Sequence, residues 1–227
     1  MINRLRGLGI VLGLIGLAFI AAGGFSFFKV QEGTASLKAF SAAQGVELTY
    51  NEDGQLVDRG EVEGAQAIMA LLTDDWGYPV ASGEMDPNDP LVNTASEYMF
   101  QMATVAYHTL NGVQTVVLPE DVEYDGEVFK AGTYEFAVDG RYWADFNREH
   151  PIEGAARAQA WTGTAHALIG ELGVGTVTAS ALTLGLGLAA LFAGVGGTFL
   201  LTGAGLVWAT RPEKAAVPVF RTASQGV

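Results

Sequence analysis

The segment GRYWADFNREHP, residues 140–151, gathers side chains that could do chemistry in a chain otherwise rich in alanine, glycine and leucine. Its aromatic, acidic and basic members include Tyr142, Trp143, Asp145, Glu149, Arg141, Arg148 and His150. Asp145 lies three residues before Arg148 and four before Glu149, so one helical turn would bring these three side chains together. Gly140 precedes this turn and Pro151 stops it. The pattern favours a short helix that is docked by its aromatic residues, a structural joint, over a catalytic centre.

The three histidines, His108, His150 and His166, are the candidates for a metal site. A non-heme iron centre needs two histidines and one carboxylate, with open positions on the metal. His150 and His166 could supply the two nitrogens. The carboxylate candidates are Glu149, Glu153 and Glu171. Because the spacing of the histidines matches no ligand motif, we expect each to lie separately on a helix surface or at an interface, and we predict no metal site.

The stretch DVEYDG, residues 121–126, matches the first half of a calcium-binding loop, in which alternate acids converge around a glycine turn. Gly132 stands where such a loop needs its closing acid, so the pattern favours a hairpin turn at Asp125 and Gly126. The chain has no cysteine, and it contains no serine-nucleophile elbow, phosphate loop or dinucleotide fingerprint. We therefore expect no catalytic residue and no cofactor, and a protein that is not an enzyme.

Charge and hydropathy are separated along the 227 residues. The mean hydropathy is +0.26 although the formal net charge is −13. Residues 29–171 hold 24 of the 25 acidic residues and 7 of the 12 basic residues, which gives this segment a net charge of −17. Such a segment repels phosphates, so we expect no nucleic acid partner.

Two uncharged runs, residues 7–28 and 172–210, are each long enough to cross a bilayer, which takes about 20 helical residues. Arg4 and Arg6 precede the first run, and Arg211 and Lys214 follow the second. Because basic residues that flank membrane spans stay in the cytoplasm, both termini are predicted to be cytoplasmic. The plasma membrane is then the predicted location, the lipid bilayer is a partner, and the acidic segment lies outside the cytoplasm.

These patterns predict six regions along the chain. They are a cytoplasmic N-terminus (1–6), a first span (7–28), an extracytoplasmic domain (29–151), a helix leading into the membrane (152–183), a second span (184–208) and a cytoplasmic tail (209–227). Three alternatives remain open: a signal peptide that is cleaved, two spans in the second run, or a soluble protein. The length of the first apolar run and the lack of a polar turn in the second favour two spans.

Small residues recur in both predicted spans. The first contains Gly9 and Gly13, and the second carries a row spaced by four: Ala181, Gly185, Ala189, Ala193 and Gly197. Small residues in register let helix backbones approach closely, so we expect packing either between the two spans or between protomers in a homo-oligomer. A parallel row ending in Thr198 and Thr202 could add hydroxyl bonds between helices.

The acidic segment predicts a small α+β domain. Its predicted elements are a short hairpin or extended arm over 45–60, a helix within 61–75, a long helix within 90–112 and an antiparallel β-meander over 113–138. The predicted fold class is thus an α+β membrane protein with two transmembrane helices that flank an extracytoplasmic domain.

The order of elements and the motif at 140–151 resemble a group of actinobacterial two-span membrane proteins of unknown function. Many members carry a motif like G-K-T-Y-x-E-L-D-R-E-D-P before the second span. Gly140, Asp145, Arg148, Glu149 and Pro151 occupy matching places, and Tyr142 lies one position before the motif's tyrosine, whereas Asn147 and His150 replace two of its acids. The resemblance covers the first span and residues 94–111 and 140–208. Members are often labelled aromatic ring-opening dioxygenases, which would imply an iron triad that this sequence does not show.

The leading hypothesis is a non-enzymatic protein whose acidic domain binds or assembles with a partner in the cell envelope. One alternative is a membrane-tethered non-heme iron oxygenase that uses the histidines. Another is a homo-oligomeric assembly or a pore subunit built through the small-residue faces.

Overall fold

The computed structural model describes residues 2–211, so most of the predicted cytoplasmic tail lies outside the described residues. Five α-helices and four short strands are present in this part of the chain. The helices are α1 (Ile2–Gln44), α2 (Val62–Ala70), α3 (Ala95–Leu110), α4 (Glu153–Ala160) and α5 (Gly163–Ala209). The strands are β1 (Val113–Leu118), β2 (Val122–Tyr124), β3 (Glu127–Phe129) and β4 (Gly132–Ala137). The prediction of helices with a small antiparallel strand set is confirmed.

The described chain divides into two compact units, residues 2–30 with 185–211, and residues 31–184. Helices α1 and α5, of 43 and 47 residues, are each long and apolar enough to cross a membrane. Only 17% and 11% of their most apolar segments are buried within the protein. Both helices exceed the predicted spans, because α1 continues to Gln44 and α5 begins at Gly163.

In the first unit, α1 and α5 pack along a seam of glycine and alanine. The six buried seam residues pair as Gly9 with Gly203, Gly16 with Gly196, and Gly23 with Ala189. A Cβ atom placed on Gly16 would lie 2.7 Å from the carbonyl oxygen of Gly196, and one placed on Gly196 would lie 2.7 Å from that of Gly16. Because real Cβ contacts are longer, the backbones approach this closely only where the side chain is absent.

The seam follows a seven-residue spacing on both helices, and it is not the four-residue row predicted on α5. Within that row Ala189 is buried and Gly185 faces a methyl group of Val30, whereas Ala181 and Ala193 are exposed and Gly197 borders open space. A four-residue step drifts about 40° around a helix, but a seven-residue step drifts only about 20°. Seven-residue spacing therefore keeps small residues on one face over a long contact.

Of the two glycines predicted to pack on α1, Gly9 and Gly13, only one lies in the seam. Gly9 lies in the seam, while a Cβ atom on Gly13 would meet nothing within 4 Å. The Gly13 backbone nevertheless contacts the seam, since its nitrogen lies 2.8 Å from a Cβ atom placed on Gly203. The hydroxyls of Thr198 and Thr202 donate to the carbonyl oxygens four residues earlier on α5, at 3.0 and 2.8 Å, so these bonds stay within one helix.

The second unit has its core between α2 and α3, where Ile68, Leu72 and Ala103 are fully buried. Helix α3 begins after Thr94 and not near Pro90, because Thr94 and Glu97 form a capping box. The two residues satisfy each other's backbone N–H groups and thereby set the first turn. The predicted helix within 61–75 is present as α2, which continues into a π-helical turn, Leu71–Asp75.

The strands form two nested hairpins in place of the predicted meander. β1 pairs with β4 from Val113↔Ala137 to Leu118↔Gly132, and β2 pairs with β3. The inner turn lies at Asp125 and Gly126, both at positive φ, as the Asp-Gly signal predicts. The Asp121 carboxylate explains the nesting, because it accepts hydrogen bonds from Lys130 Nζ at 2.8 Å and Ala131 N at 2.9 Å and so closes the base of the inner hairpin.

The helix predicted over 152–183 is divided into α4 and α5. Trp161 leaves the helical conformation with ψ of 66°, which ends α4. The Thr162 hydroxyl then accepts a hydrogen bond from Ala165 N at 3.1 Å and begins α5. This break allows the aromatic ring of Trp161 to be buried beside α3 and β4.

Candidate functional site

A pocket of about 600 Å³ lies in the second unit, between the last third of α1 and the first third of α5. Its lining is largely apolar: Leu37, Phe40, Val92, Leu168, Leu172 and Val174. Polar groups are few and include those of Ser36, Gln44 and Glu171, all of which are exposed. This volume and lining fall in the range of small-molecule sites, which typically have an apolar wall with a few polar groups. We call it the α1–α5 pocket.

Tyr98 of α3 forms the inner wall of the α1–α5 pocket. Its hydroxyl lies 2.8 Å from the Ser41 hydroxyl in a buried hydrogen bond that joins α3 to α1. Its ring lies against α5 at Gly175, so that a Cβ atom placed on Gly175 would be 2.6 Å from two ring carbons. Tyr98 therefore sets the spacing between α1 and α5 in this unit, and Gly175 makes room for it.

An ionisable residue lies directly beside this wall. The Glu97 side chain is only 2% exposed, and one of its oxygens accepts hydrogen bonds from Asn93 N at 2.9 Å and Thr94 N at 2.8 Å. Burial raises the pKa of the Glu97 carboxyl, while the hydrogen bonds from Asn93 and Thr94 act in the opposite direction.

The hydroxyl of Tyr50 is a further buried polar group in this region. It has no hydrogen-bond partner among the described residues. Burial, followed by the nearby charges of Glu97 and Asp86, raises the pKa of Tyr50. Both groups are thus held in their neutral forms more strongly than in water.

The predicted joint at 140–151 contains turns and bends, and no helix. Gly140, with φ of 75°, reverses the chain after β4. The Asp145 carboxylate accepts a hydrogen bond from Tyr142 N at 2.9 Å, and no ion pair joins it to Arg148 in this described segment. The arginine–acid pair that forms is Arg141 with Glu153, at 3.2 Å. The prediction of a helix was wrong, because the Asp145 carboxylate accepts a hydrogen bond from the backbone N–H of Tyr142 and so stabilises a turn.

Aromatic side chains hold the joint against its neighbours. Trp76 Nε1 donates to the Tyr142 hydroxyl at 2.8 Å, and the Tyr142 ring stacks on Trp161 with 5.8 Å between centroids. The Arg157 guanidinium lies 3.1 Å from the centroid of the Trp143 ring. These contacts connect the end of α2, residues 140–151 and the α4–α5 break.

Asn147 makes two hydrogen bonds through its side-chain amide that a carboxylate at this position could not reproduce. Its amide donates to the Tyr124 hydroxyl at 2.9 Å while its oxygen accepts from Glu149 N at 3.1 Å. An acid would accept both bonds but donate neither. The Glu149 side chain is exposed, and Pro151 lies in the turn just before α4.

The three histidines lie in separate environments. His108 Nε2 is 3.0 Å from Asp58 Oδ1. His150 Nδ1 accepts from the Ile152 and Glu153 N–H groups, both at 3.2 Å, at the start of α4. His166 Nδ1 lies 3.0 Å from the Thr162 carbonyl oxygen, to which it donates. Within residues 2–211, no three His, Cys, Asp or Glu side chains are placed to hold one metal ion.

Sequence reasoning did not identify the α1–α5 pocket. Its α1 wall lies in residues 29–44, where the sequence shows charges and no clear helical periodicity. The seven-residue spacing of Gly9, Gly16 and Gly23 is a signal that could have revealed the pairing of the two long helices.

Comparison with protein-family models, with curated proteins and with solved structures gives no match for this chain. The resemblance to the two-span group therefore stays a prediction.

Proposed function

We propose that this chain is a two-span membrane protein of the cell envelope whose acidic domain lies outside the cytoplasm and has a binding role, not a catalytic one. The α1–α5 pocket is the observation that carries this proposal. Its apolar walls suit an apolar ligand, and its few polar groups suit the orientation of one polar end.

The membrane part of the proposal draws on the lengths and surfaces of α1 and α5. Their apolar segments leave side chains such as Leu14, Phe25 and Leu201 exposed at 62%, 67% and 77%. Burying such surface in a bilayer stabilises each helix in the span. The seam glycines supply the close packing that membrane helices use when no hydrophobic effect acts between them.

Native mass spectrometry of the full chain, purified in mild detergent, tests the binding role. We expect a bound apolar molecule at one copy per chain in the wild-type protein. Val174→Trp, which fills the pocket, should remove it. Val177→Trp is the matched control, because Val177 lies on the same helix with nearly the same exposure, 69% against 67%, but does not line the pocket. Spectra without bound mass in all three proteins would contradict the proposal.

A further inference from the structure

We infer that the occupant of the α1–α5 pocket is the hydrocarbon chain of an uncharged or zwitterionic membrane lipid. This inference rests on the proposed function, since it names the ligand class for the same site. The lining residues, the charge of the domain and the position of the pocket along the two helices each support it.

The apolar lining of the pocket suits a flexible hydrocarbon chain. Leu37 and Leu172 form the inner surface, while Phe40 and Val174 are 48% and 67% exposed at its edges. Gly33 lies on the α1 wall and Gly175 on the α5 wall, where a Cβ atom would lie 2.6 Å from the Leu182 side chain and from the Tyr98 ring, respectively. A hydrocarbon chain would remove these exposed apolar groups from water without leaving an unpaired polar group behind.

The charge of the domain indicates the charge of the lipid headgroup that fits. Glu171 is the only acidic or basic residue among those that line the pocket, and it is exposed. Residues 29–171 carry a net charge of −17. An anionic headgroup or a fatty-acid carboxylate would be repelled by both, whereas a neutral or zwitterionic head would not.

The position of the pocket along α1 and α5 indicates that the lipid comes from the bilayer. On α1 its lining begins at Gly33, shortly after the predicted first span ends at residue 28. On α5 its lining ends at Thr178, shortly before the predicted second span begins at residue 184. Both walls therefore continue directly from helices that would be surrounded by lipid, so the bilayer supplies the ligand at high local concentration.

Photocrosslinking in vesicles tests the inference. The full chain is reconstituted into phosphatidylcholine vesicles that contain phosphatidylcholine with a photoreactive group near the end of one acyl chain. We expect adducts on residues 33–46 and 168–178, reduced at least tenfold by Val174→Trp and unchanged by Val177→Trp. A parallel sample with a photoreactive fatty-acid anion should label these residues more weakly.

Four results would overturn the inference. Equal labelling of pocket residues in both variants would show that the lipid contacts the outer surface only. Stronger labelling by the fatty-acid anion would contradict the choice of headgroup. Native mass spectra that show a dimer of the wild-type chain and of Val177→Trp, but not of Val174→Trp, would assign the pocket to a second copy. If mass spectrometry finds a bound apolar molecule that is not a lipid, the binding role stands and this inference alone fails.

Discussion

At the scale of single residues, Tyr98 and its neighbours determine the shape of the pocket. Tyr98 contacts Ser41 on one helix and Gly175 on the other, while Glu97 completes the cap of α3 one residue earlier. Neither the Ser41–Tyr98 bond nor the need for glycine at 175 can be predicted from sequence, because both depend on which helices meet in three dimensions.

Gly175→Ala should destabilise the protein. The new Cβ atom would press on the buried Tyr98 ring, and overpacking of this kind costs about 1–3 kcal/mol. Gly170→Ala is the matched control on the same helix, since nothing lies within 4 Å of a Cβ atom there. It should be neutral or stabilise by about 0.5–1 kcal/mol, because glycine weakens a helix. Thermal unfolding of both variants in detergent measures the difference, and equal midpoints would contradict the assigned role of Gly175.

Glu97 should make stability depend on pH. Its pKa is raised in the folded state, so the native protein binds more protons than the unfolded chain. Its stabilising contribution is complete below the unfolded-state pKa of about 4.3 and declines as pH rises through the folded-state pKa. Glu97→Gln keeps the capping box and removes this titration.

The measurement is the free energy of unfolding of wild type and Glu97→Gln across this pH window. Relative to the variant, the wild-type protein should lose stability as pH rises. The lowered pKa values of Asp86 and Asp121 act in the opposite direction and at lower pH, and they are common to both proteins. A constant difference between the two proteins at all pH values would refute the assignment to Glu97.

At the scale of elements, periodicity predicts most of the structure. The two apolar runs, the helical spacing in 61–75 and 90–112, and the Asp125-Gly126 turn all correspond to observed elements. Three features could not be predicted in this way. Residues 29–44 are helical because Leu37 and Ser41 pack on the domain, the hairpins are nested because Asp121 closes them, and 140–151 is not helical because Asp145 binds the local backbone.

The glycine seam gives the clearest prediction at this scale. Gly16→Ile should separate α1 from α5, because its side chain would collide with the backbone at Gly196 and Leu200. Gly24→Ile on the same helix borders open space and serves as the control. We expect the unfolding midpoint of the first variant in detergent to fall by several degrees and that of the second to stay near wild type. Equal midpoints would mean that the seam does not stabilise the fold.

At the scale of the whole molecule, the protein combines two helices that are long and apolar enough to cross a membrane, a domain of net charge −17 and an apolar pocket. The charge separation is a property of the sequence itself, and from the positions of the basic residues the positive-inside rule predicts the topology. The pocket could not, since its walls come from residues far apart in the chain.

Topology is the central claim, and the absence of cysteine from the chain makes it directly measurable. Single-cysteine variants Asn3→Cys, Glu123→Cys and Ser224→Cys are treated on intact cells with a membrane-impermeant maleimide. The account predicts labelling at position 123 without permeabilisation, and at positions 3 and 224 only after permeabilisation. Labelling at position 3 or 224 in intact cells, or protection of position 123, would contradict it.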